Sequence, residues 1–276
     1  MKYVCSSCGS EFLKWSGRCS NCGQWGTLEE VDDEVSKENS KVSSTKSPYK
    51  SIIEYRTSTD SKKGAKNRLS TGFKELDRVL GGGLIEGEVV LVSGEPGVGK
   101  STLLLQVALN LSVKKKILYV CGEESPSQLI SRLDRLSVDG GKPENIFVTN
   151  DVIVENIYNL VSEEKFDLVI VDSIQSVTSI TSKGYPGSIS QVRASGSLLT
   201  RLSKVTGIPC VIVGQINKVG DIAGPMILEH IVDCVLYIEG GEFNQYRIIR
   251  GMKNRFGSTN EIGVFEMTSA GLNEVG

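Results

Sequence analysis

A chain of 276 residues that is 39% hydrophobic can bury one large core and still carry a small appended module. Its formal net charge of -2 excludes any argument from global basicity, so a polyanionic partner would have to meet a local positive patch. His230 is the single histidine, which excludes most nucleophile–histidine and two-histidine metal schemes.

The chain opens Met1-Lys2-Tyr3-Val4-Cys5, without a signal-peptide core, and contains no run of about eighteen apolar residues. A soluble, cytoplasmic protein with no membrane partner is expected. Cys5, Cys8, Cys19 and Cys22 form two C-x-x-C pairs with ten residues between them. Each pair can place two thiolates on one cation, and two such knuckles facing each other make a closed tetrahedral zinc site. Residues 1–30 are therefore read as a four-cysteine zinc ribbon, too small to hold a core alone, so that metal binding would be largely folding energy. Two disulfides or four thiols are the alternative, disfavoured by the cytosolic look of the rest. Cys121, Cys210 and Cys234 sit in apolar runs and read as small hydrophobes.

Residues 31–67 read as a flexible linker. Glu29 to Glu34 carries five acids, and Ser36 to Arg68 is rich in Ser, Thr and Lys with few apolar residues. Nine Lys and Arg against three acids between Ser36 and Ser70 could touch a polyanion, but a solvated tether is the simpler reading. Order resumes near Leu69-Ser70-Thr71-Gly72-Phe73, where a Ser/Thr pair is expected to cap a short helix through Leu76 and Leu80 that ends at Gly81-Gly82-Gly83.

Residues 68–276 read as one α/β domain. Gly94-Glu95-Pro96-Gly97-Val98-Gly99-Lys100-Ser101 stands between an apolar strand and the helical run beginning at Thr102, the context that makes a phosphate-binding loop credible. Glycines let successive N–H groups turn toward an anion, Lys100 supplies a point charge, and Ser101 offers magnesium a hydroxyl. A nucleoside triphosphate is the expected ligand. Val89–Val92, Ile117–Val120, Ile146–Val148, Leu168–Val171 and Cys210–Val213 are continuous apolar strands, as a parallel sheet covered on both faces requires. Helical runs at 103–111, 128–136, 154–161 and 192–205 separate them. Val235–Ile238, Tyr246–Arg250 and Gly263–Met267 are expected as antiparallel strands on one edge.

Ligands of such a sheet bind beyond the strand carboxyl ends. Asp172 ends one strand and can hold a magnesium-bound water beside Ser101. Glu123 or Glu124, after the strand ending at Cys121, could deprotonate the attacking water. Gln215 could sense the γ-phosphate and report to Asn217 and Lys218. Lys253-Asn254-Arg255-Phe256-Gly257, with Arg247 and Arg250, places four positive charges in nine residues without an acid.

The chain resembles the bacterial RadA/Sms family of DNA-repair ATPases nearly end to end. The resemblance is carried by C-S-S-C-G…G-R-C-S-N-C-G-Q-W-G-T, G-E-P-G-V-G-K-S, Y-V-C-G-E-E-S, V-D-S-I-Q, P-G-S-I-S-Q-V-R, I-A-G-P…L-E-H and above all K-N-R-F-G. It implies a RecA-like P-loop ATPase core behind a zinc ribbon, using ATP, Mg2+ and Zn2+. It also implies a homo-hexameric ring on single-stranded and branched DNA that drives branch migration beside the strand-exchange recombinase. By position it implies that Lys100 and Ser101 hold phosphate and magnesium, that Asp172 supports the metal, and that Glu124, slightly preferred, or Glu123 is the catalytic carboxylate. Lys253 and Arg255 resemble residues that related ATPases extend into a neighbour's site, and the same segment is linked to DNA engagement. Gln215 stands where familiar members carry histidine. The family also continues into a Lon-protease-like domain beyond the equivalent of Gly276, so ring formation without it is expected to be weaker. Two other readings are an ATP-switched DNA-binding module without motor activity and a RecA-fold signalling ATPase.

Overall fold

The computed structural model describes residues 2–5, 10–31, 68–136, 143–215, 225–240 and 245–275. The expected linker, Val31 apart, lies outside the described residues, as do Cys8, Asn217 and Lys218. The chain divides into two units, Met1–Tyr55 and Arg56–Gly276.

In the first unit, β1 (Lys2–Cys5) pairs antiparallel with both β2 (Glu11–Phe12) and β3 (Leu28–Val31). Among the described residues its buried apolar cluster is Cys5, Cys19 and Leu28, with Tyr3 and Phe12 packed against it. So little apolar surface cannot offset the entropy of ordering the segment, which leaves the cysteines to supply the remainder through a metal.

The second unit is a single sheet in the order β12-β11-β10-β9-β4-β8-β7-β5-β6. Its central strand β4 (Val89–Gly94) runs parallel to β8 (Cys210–Gln215) and β9 (Cys234–Glu239). Beyond β8 follow β7 (Leu168–Asp172), β5 (Ile117–Cys121) and β6 (Ile146–Thr149), all parallel. Strand residues alternate between two cores: Val90, Val92, Ile117, Tyr119, Leu168 and Ile170 face one, and Val89, Leu91, Leu118, Val120, Val169 and Val171 the other. That alternation is why these strands are apolar at every position. The first core is closed by α1 (Lys74–Leu80) and α2 (Lys100–Ser112), the second by α4 (Val154–Glu163) and α5 (Ile189–Thr206). Among the described residues there are also two short α-helices, α3 (Pro126–Leu133) and α6 (Pro225–Glu229).

Three expectations are corrected. The strand at 235–238 is not an antiparallel edge strand: β9 pairs parallel with β4 inside the sheet and antiparallel with β10 (Tyr246–Asn254), from which the antiparallel set continues through β11 (Ile262–Thr268) and β12 (Gly271–Glu274). β6 is an outer strand whose Phe147 and Val148 are 43% and 41% exposed, so its apolar run is not covered on both faces. Ser70 and Thr71 do not cap α1. Its N-cap is Phe73, while the Ser70 and Thr71 hydroxyls donate to the Asp77 carboxylate at 2.5 and 2.8 Å. The helix does end at Gly81, in the left-handed conformation with φ 80°.

A buried charge network closes the amino-terminal edge of the sheet. The Asp233 carboxylate, 2% exposed, accepts the Val89 N–H at 3.0 Å and pairs with Lys204 at 2.5 Å and Arg255 at 3.2 Å. Glu88 is fully buried beside it; one oxygen accepts the Ile85 N–H at 2.8 Å, and the other has no hydrogen-bond partner among the described residues. Burial pushes its carboxyl up from 4.5 to about 7. The native state therefore binds a proton that the unfolded chain has released between pH 4.5 and about 7, and stability falls as pH rises through that window. Glu88→Gln should match the parent at pH 4.5 and exceed it by about 3 kcal/mol above pH 7. Denaturant midpoints of both proteins across this range provide the check, and a pH-independent difference would refute the assignment.

Candidate nucleotide site and metal-binding ribbon

The parallel strands bring their carboxyl ends to one edge. Gly94 lies opposite Gln215 in the β4–β8 pair, and Cys121 opposite Asp172 in the β5–β7 pair. The loop Gly94–Gly99 leaves β4 there and enters α2 at Lys100. Its glycines are demanded by sterics: a Cβ on Gly94 would stand 2.5 Å from the Ile238 carbonyl oxygen, and Gly99 has φ 111°. Val98 is buried, while Pro96 and Gly97 are exposed at the tip and Glu95, Ser101 and Thr102 are half-buried. The first turn of α2 contains no acid, so no carboxylate there competes with an anion for the positive end of the helix dipole.

Lys100 is 6% exposed, and its ammonium donates to the Gly94 and Glu95 carbonyls at 2.9 and 2.8 Å. Burial holds it below the usual lysine range, against the opposing pull of Asp172 and Glu123. Asp172 accepts a hydrogen bond from the Tyr119 hydroxyl at 2.7 Å. That phenol is buried, which raises it well above its ordinary range and keeps it a donor. Ser101, Asp172, Tyr119, Cys121, Glu123, Glu124 and Leu129 line a cavity of about 20 Å³. A hydroxyl and carboxylates around a space of that size are the hard oxygen donors that magnesium takes.

The two glutamates have different partners. Gln215 Nε2 donates to both oxygens of Glu123 at 2.9 and 2.8 Å, and the Ser173 hydroxyl also donates to it. Glu124 instead pairs with Nη2 of Arg132 in α3, whose buried Nη1 has no hydrogen-bond partner among the described residues. Ser125 and Gln128 form a capping box at the start of that helix. Cys121 in the same cavity is neutral, because burial pushes its thiol up to about 12; Cys210 behaves alike and Cys234 is raised as well.

Lys100, Ser101, Asp172, Glu123 and Gln215 thus come together, whereas Lys253 and Arg255 do not join them. The Lys253 ammonium donates to the Glu229 and Val232 carbonyls at 2.5 and 2.7 Å, and Arg255 pairs with Asp233. Burial and the neighbouring Arg255 hold Lys253 below the usual lysine range. Asp233 also binds Val89, at the opposite end of β4 from Gly94. Five residue steps of strand put about 17 Å between these ends. The basic run in the sequence is consequently split: Arg247 Nε donates to the Val98 carbonyl of the glycine loop at 3.0 Å, at the other end of β10 from Lys253. Its side chain lies over Gly240, where a Cβ would come within 2.5 Å of Cδ and 2.8 Å of Nε.

Sequence reasoning missed Arg132, Tyr119 and Arg247 as supports of the site. Tyr119 gave a signal, being the only hydroxyl in the run Ile117–Cys121. It also gave no role to the loop between β7 and α5, at the same edge, where Ile180 and Tyr185 are 73% and 87% exposed beside exposed Lys183, with Ile189, 56% exposed, at the start of α5. Buried Gln191 anchors that loop, accepting the Ser179 N–H at 2.7 Å and donating to the Ser182 carbonyl at 2.6 Å.

In the ribbon, the sulfurs of Cys5, Cys19 and Cys22 lie within 4.8 Å of one another. Cys5 and Cys22 are 3.7 Å apart, close to the separation of two thiolates each about 2.3 Å from one tetrahedral zinc. The Cys22 N–H points at the Cys19 sulfur at 3.5 Å, and Gly23 follows with φ 74°. This donor set fits zinc; Cys8, the fourth expected ligand, lies outside the described residues.

Both parts of the chain are similar to known proteins. The family model described as AAA domain matches residues 61–221, and that described as rubredoxin metal binding domain matches residues 3–30. The DNA repair protein RadA of Aquifex aeolicus is 46% identical over 274 residues, covering 99% of this chain and 59% of that protein. Those of Bacillus subtilis and Escherichia coli are 42% and 40% identical, each over 99% of this chain and 59% of the relative. The chain therefore spans less than two thirds of the length of these relatives. Among solved structures, the crystal structure of the RadB recombinase superposes with a TM-score of 0.58 at 24% identity, over 75% of this chain and 100% of that one. That likeness speaks to the fold alone, which is RecA-like.

Proposed function

The chain belongs to the AAA-domain family, as a RadA-type member with a rubredoxin-like metal-binding module, and from that premise we propose that it hydrolyses ATP in DNA repair under the control of bound DNA. The observation that carries this reading is the Glu123–Gln215 pair. The Glu123 carboxylate shares a cavity with Asp172 and acts electrostatically on Lys100, and its two oxygens are held by an amide at the end of β8, which is where a base for a water attacking the γ-phosphate would stand.

In this reading the loop 94–99 and the N-terminus of α2 bind the phosphates through backbone N–H groups, and Lys100 leaves the Gly94 and Glu95 carbonyls to meet them. Magnesium, held by Ser101 and through water by Asp172, would neutralise charge on the transferring phosphoryl group. Glu123 takes the proton of the attacking water. Gln215 must release Glu123 for this to happen, so anything that draws Gln215 away, such as the γ-phosphate or DNA beyond β8, switches the base on. Tyr119 and Arg132 act as positioning residues, fixing Asp172 and Glu124.

Strand-exposed DNA fits the edge bearing Lys183 and Tyr185, where a cation and an aromatic ring stand free beside the nucleotide site. The relatives' name, DNA repair protein RadA, points the same way. The finer reading is a ring in which Lys253 and Arg255 of one subunit complete the neighbour's site, a motor for branch migration acting with a strand-exchange recombinase in the cytoplasm. It is supported by the distance between these cations and their own glycine loop.

Steady-state ATP hydrolysis with and without a single-stranded oligonucleotide tests the proposal. A rise of tenfold or more on adding DNA is expected. A rate indifferent to DNA that is demonstrably bound would overturn it in favour of an ATP-switched binding module.

A further inference from the structure

We propose that the ribbon carries a stacking platform for unpaired nucleobases, formed by Trp15 and Trp25, which binds single-stranded nucleic acid without ATP. The platform goes beyond the hydrolytic reading, and its residues belong to the first unit whereas those of the nucleotide site belong to the second. Both indoles are open to solvent, Trp15 at 62% and Trp25 at 74%, with Leu13 beside them in the chain at 88%. Exposure of two such rings on a module of about thirty residues is costly unless something covers them.

The rings are placed rather than loose. A backbone bridge joins Arg18 to Trp25, and the Gly26 N–H donates to the Gly17 carbonyl at 2.8 Å. The Arg18 guanidinium lies 5.9 Å from the centre of the Trp25 ring while its Nε donates to the Gly23 carbonyl at 2.8 Å, so the cation that backs the ring is itself fixed. Gly17 lies between the two indoles: a Cβ there would be 3.6 Å from Trp25 and 4.0 Å from Trp15. Any side chain at 17 would fill the gap between the rings, and glycine leaves it free.

Charge selects the occupant. From Leu13 to Thr27 the chain has Lys14 and Arg18 and no acid, although the whole protein has a net charge of -2. An apolar peptide would use the rings but gain nothing from the two cations, whereas a single strand offers a π-face and a phosphate at every step. DNA and RNA share that chemistry, and both serve as probes.

The protein provides its own reporter, because Trp15 and Trp25 are its only tryptophans. Intrinsic tryptophan emission of the full, zinc-loaded chain is followed while an oligo-dT or an oligo-rU is added without nucleotide, and binding is followed in parallel by anisotropy of a labelled oligomer. Quenching that saturates together with the anisotropy is expected, with an abasic oligomer of equal length giving none. Trp15→Ala and Trp25→Ala should each weaken binding about 5- to 150-fold, and Trp25→Phe should recover part of the loss. An oligomer that binds by anisotropy with unchanged emission overturns the platform while leaving DNA-stimulated hydrolysis intact. Equal quenching by the abasic oligomer, or no binding at all, overturns it too. Unaltered zinc content separates a lost platform from a lost fold in the variants, and the parent's emission answers the question even if they fail to fold.

Discussion

Glu123→Gln should lower kcat for ATP by about 10²- to 10⁴-fold with little change in nucleotide affinity, the loss expected when a general base is removed. Glu124→Gln should cost less than tenfold. The contrast follows from partners, since the two side chains are adjacent in the chain. Glu123 faces Gln215 and Ser173 and pulls on the Lys100 ammonium, so its carboxylate belongs to the phosphate side of the cavity. Glu124 is committed to Nη2 of Arg132, whose buried Nη1 has no hydrogen-bond partner among the described residues, and a neutral amide there weakens an ion pair without removing a reacting group. Gln215→Ala should then give the opposite sign from Glu123→Gln in basal turnover, because it frees the base, while abolishing the response to DNA. Single-turnover hydrolysis with radiolabelled ATP resolves all three variants. The reverse order, with Glu124→Gln as the dead enzyme, would transfer the base role to Glu124 and leave Glu123 as the sensor's anchor.

That contrast marks where reading the sequence stopped. Strands β4, β5, β7 and β8 were legible because burial on both faces makes them apolar at every position, and the glycine loop because its spacing is set by an anion. Orientation was not legible: Val235–Ile238 is as apolar as any central strand, and nothing in those residues says that β9 returns parallel beside β4. β12 contributes one apolar side chain, Leu272, and is fixed by Gln106 of α2, which accepts its N–H at 2.8 Å and donates to its carbonyl at 3.1 Å. A contact between residues 166 apart leaves no local signature. The run from Arg247 to Arg255 looked like one patch of charge, yet an extended strand moves about 3.3 Å per residue and carries its ends roughly 26 Å apart. One end therefore steadies its own glycine loop, and the other stands at the far edge of the sheet. For the glutamates, periodicity places both at a strand end, and only the packing of α3 and the position of Gln215 assign them.

The position of Arg255 makes the second large effect an experiment in mixing. Lys100→Ala alone should be inactive in every assembly, and so should Lys253→Ala or Arg255→Ala if these cations close a neighbour's site. The far edge of the sheet can release Arg255 without collapse: its guanidinium is half-exposed, and Asp233 keeps Lys204 and the Val89 N–H when it leaves. Lys253 is less free, because its ammonium closes the carbonyls of Glu229 and Val232. Arg255→Ala is for that reason the cleaner partner for Lys100→Ala. In a ring with a head-to-tail interface, an intact site needs the glycine loop of an Arg255→Ala subunit and the cation of a Lys100→Ala subunit. Random mixing at equal amounts places those two side by side at about one quarter of interfaces. Turnover should accordingly return to about a quarter of the parent's per site, from two proteins that are each silent. Stabilisation of the transferring phosphoryl group by one such cation is worth a factor of about 10³ to 10⁵, so the recovery stands far above either background. No recovery at any ratio, from subunits shown to assemble together, would place Arg255 outside the catalytic site and leave its charge for DNA.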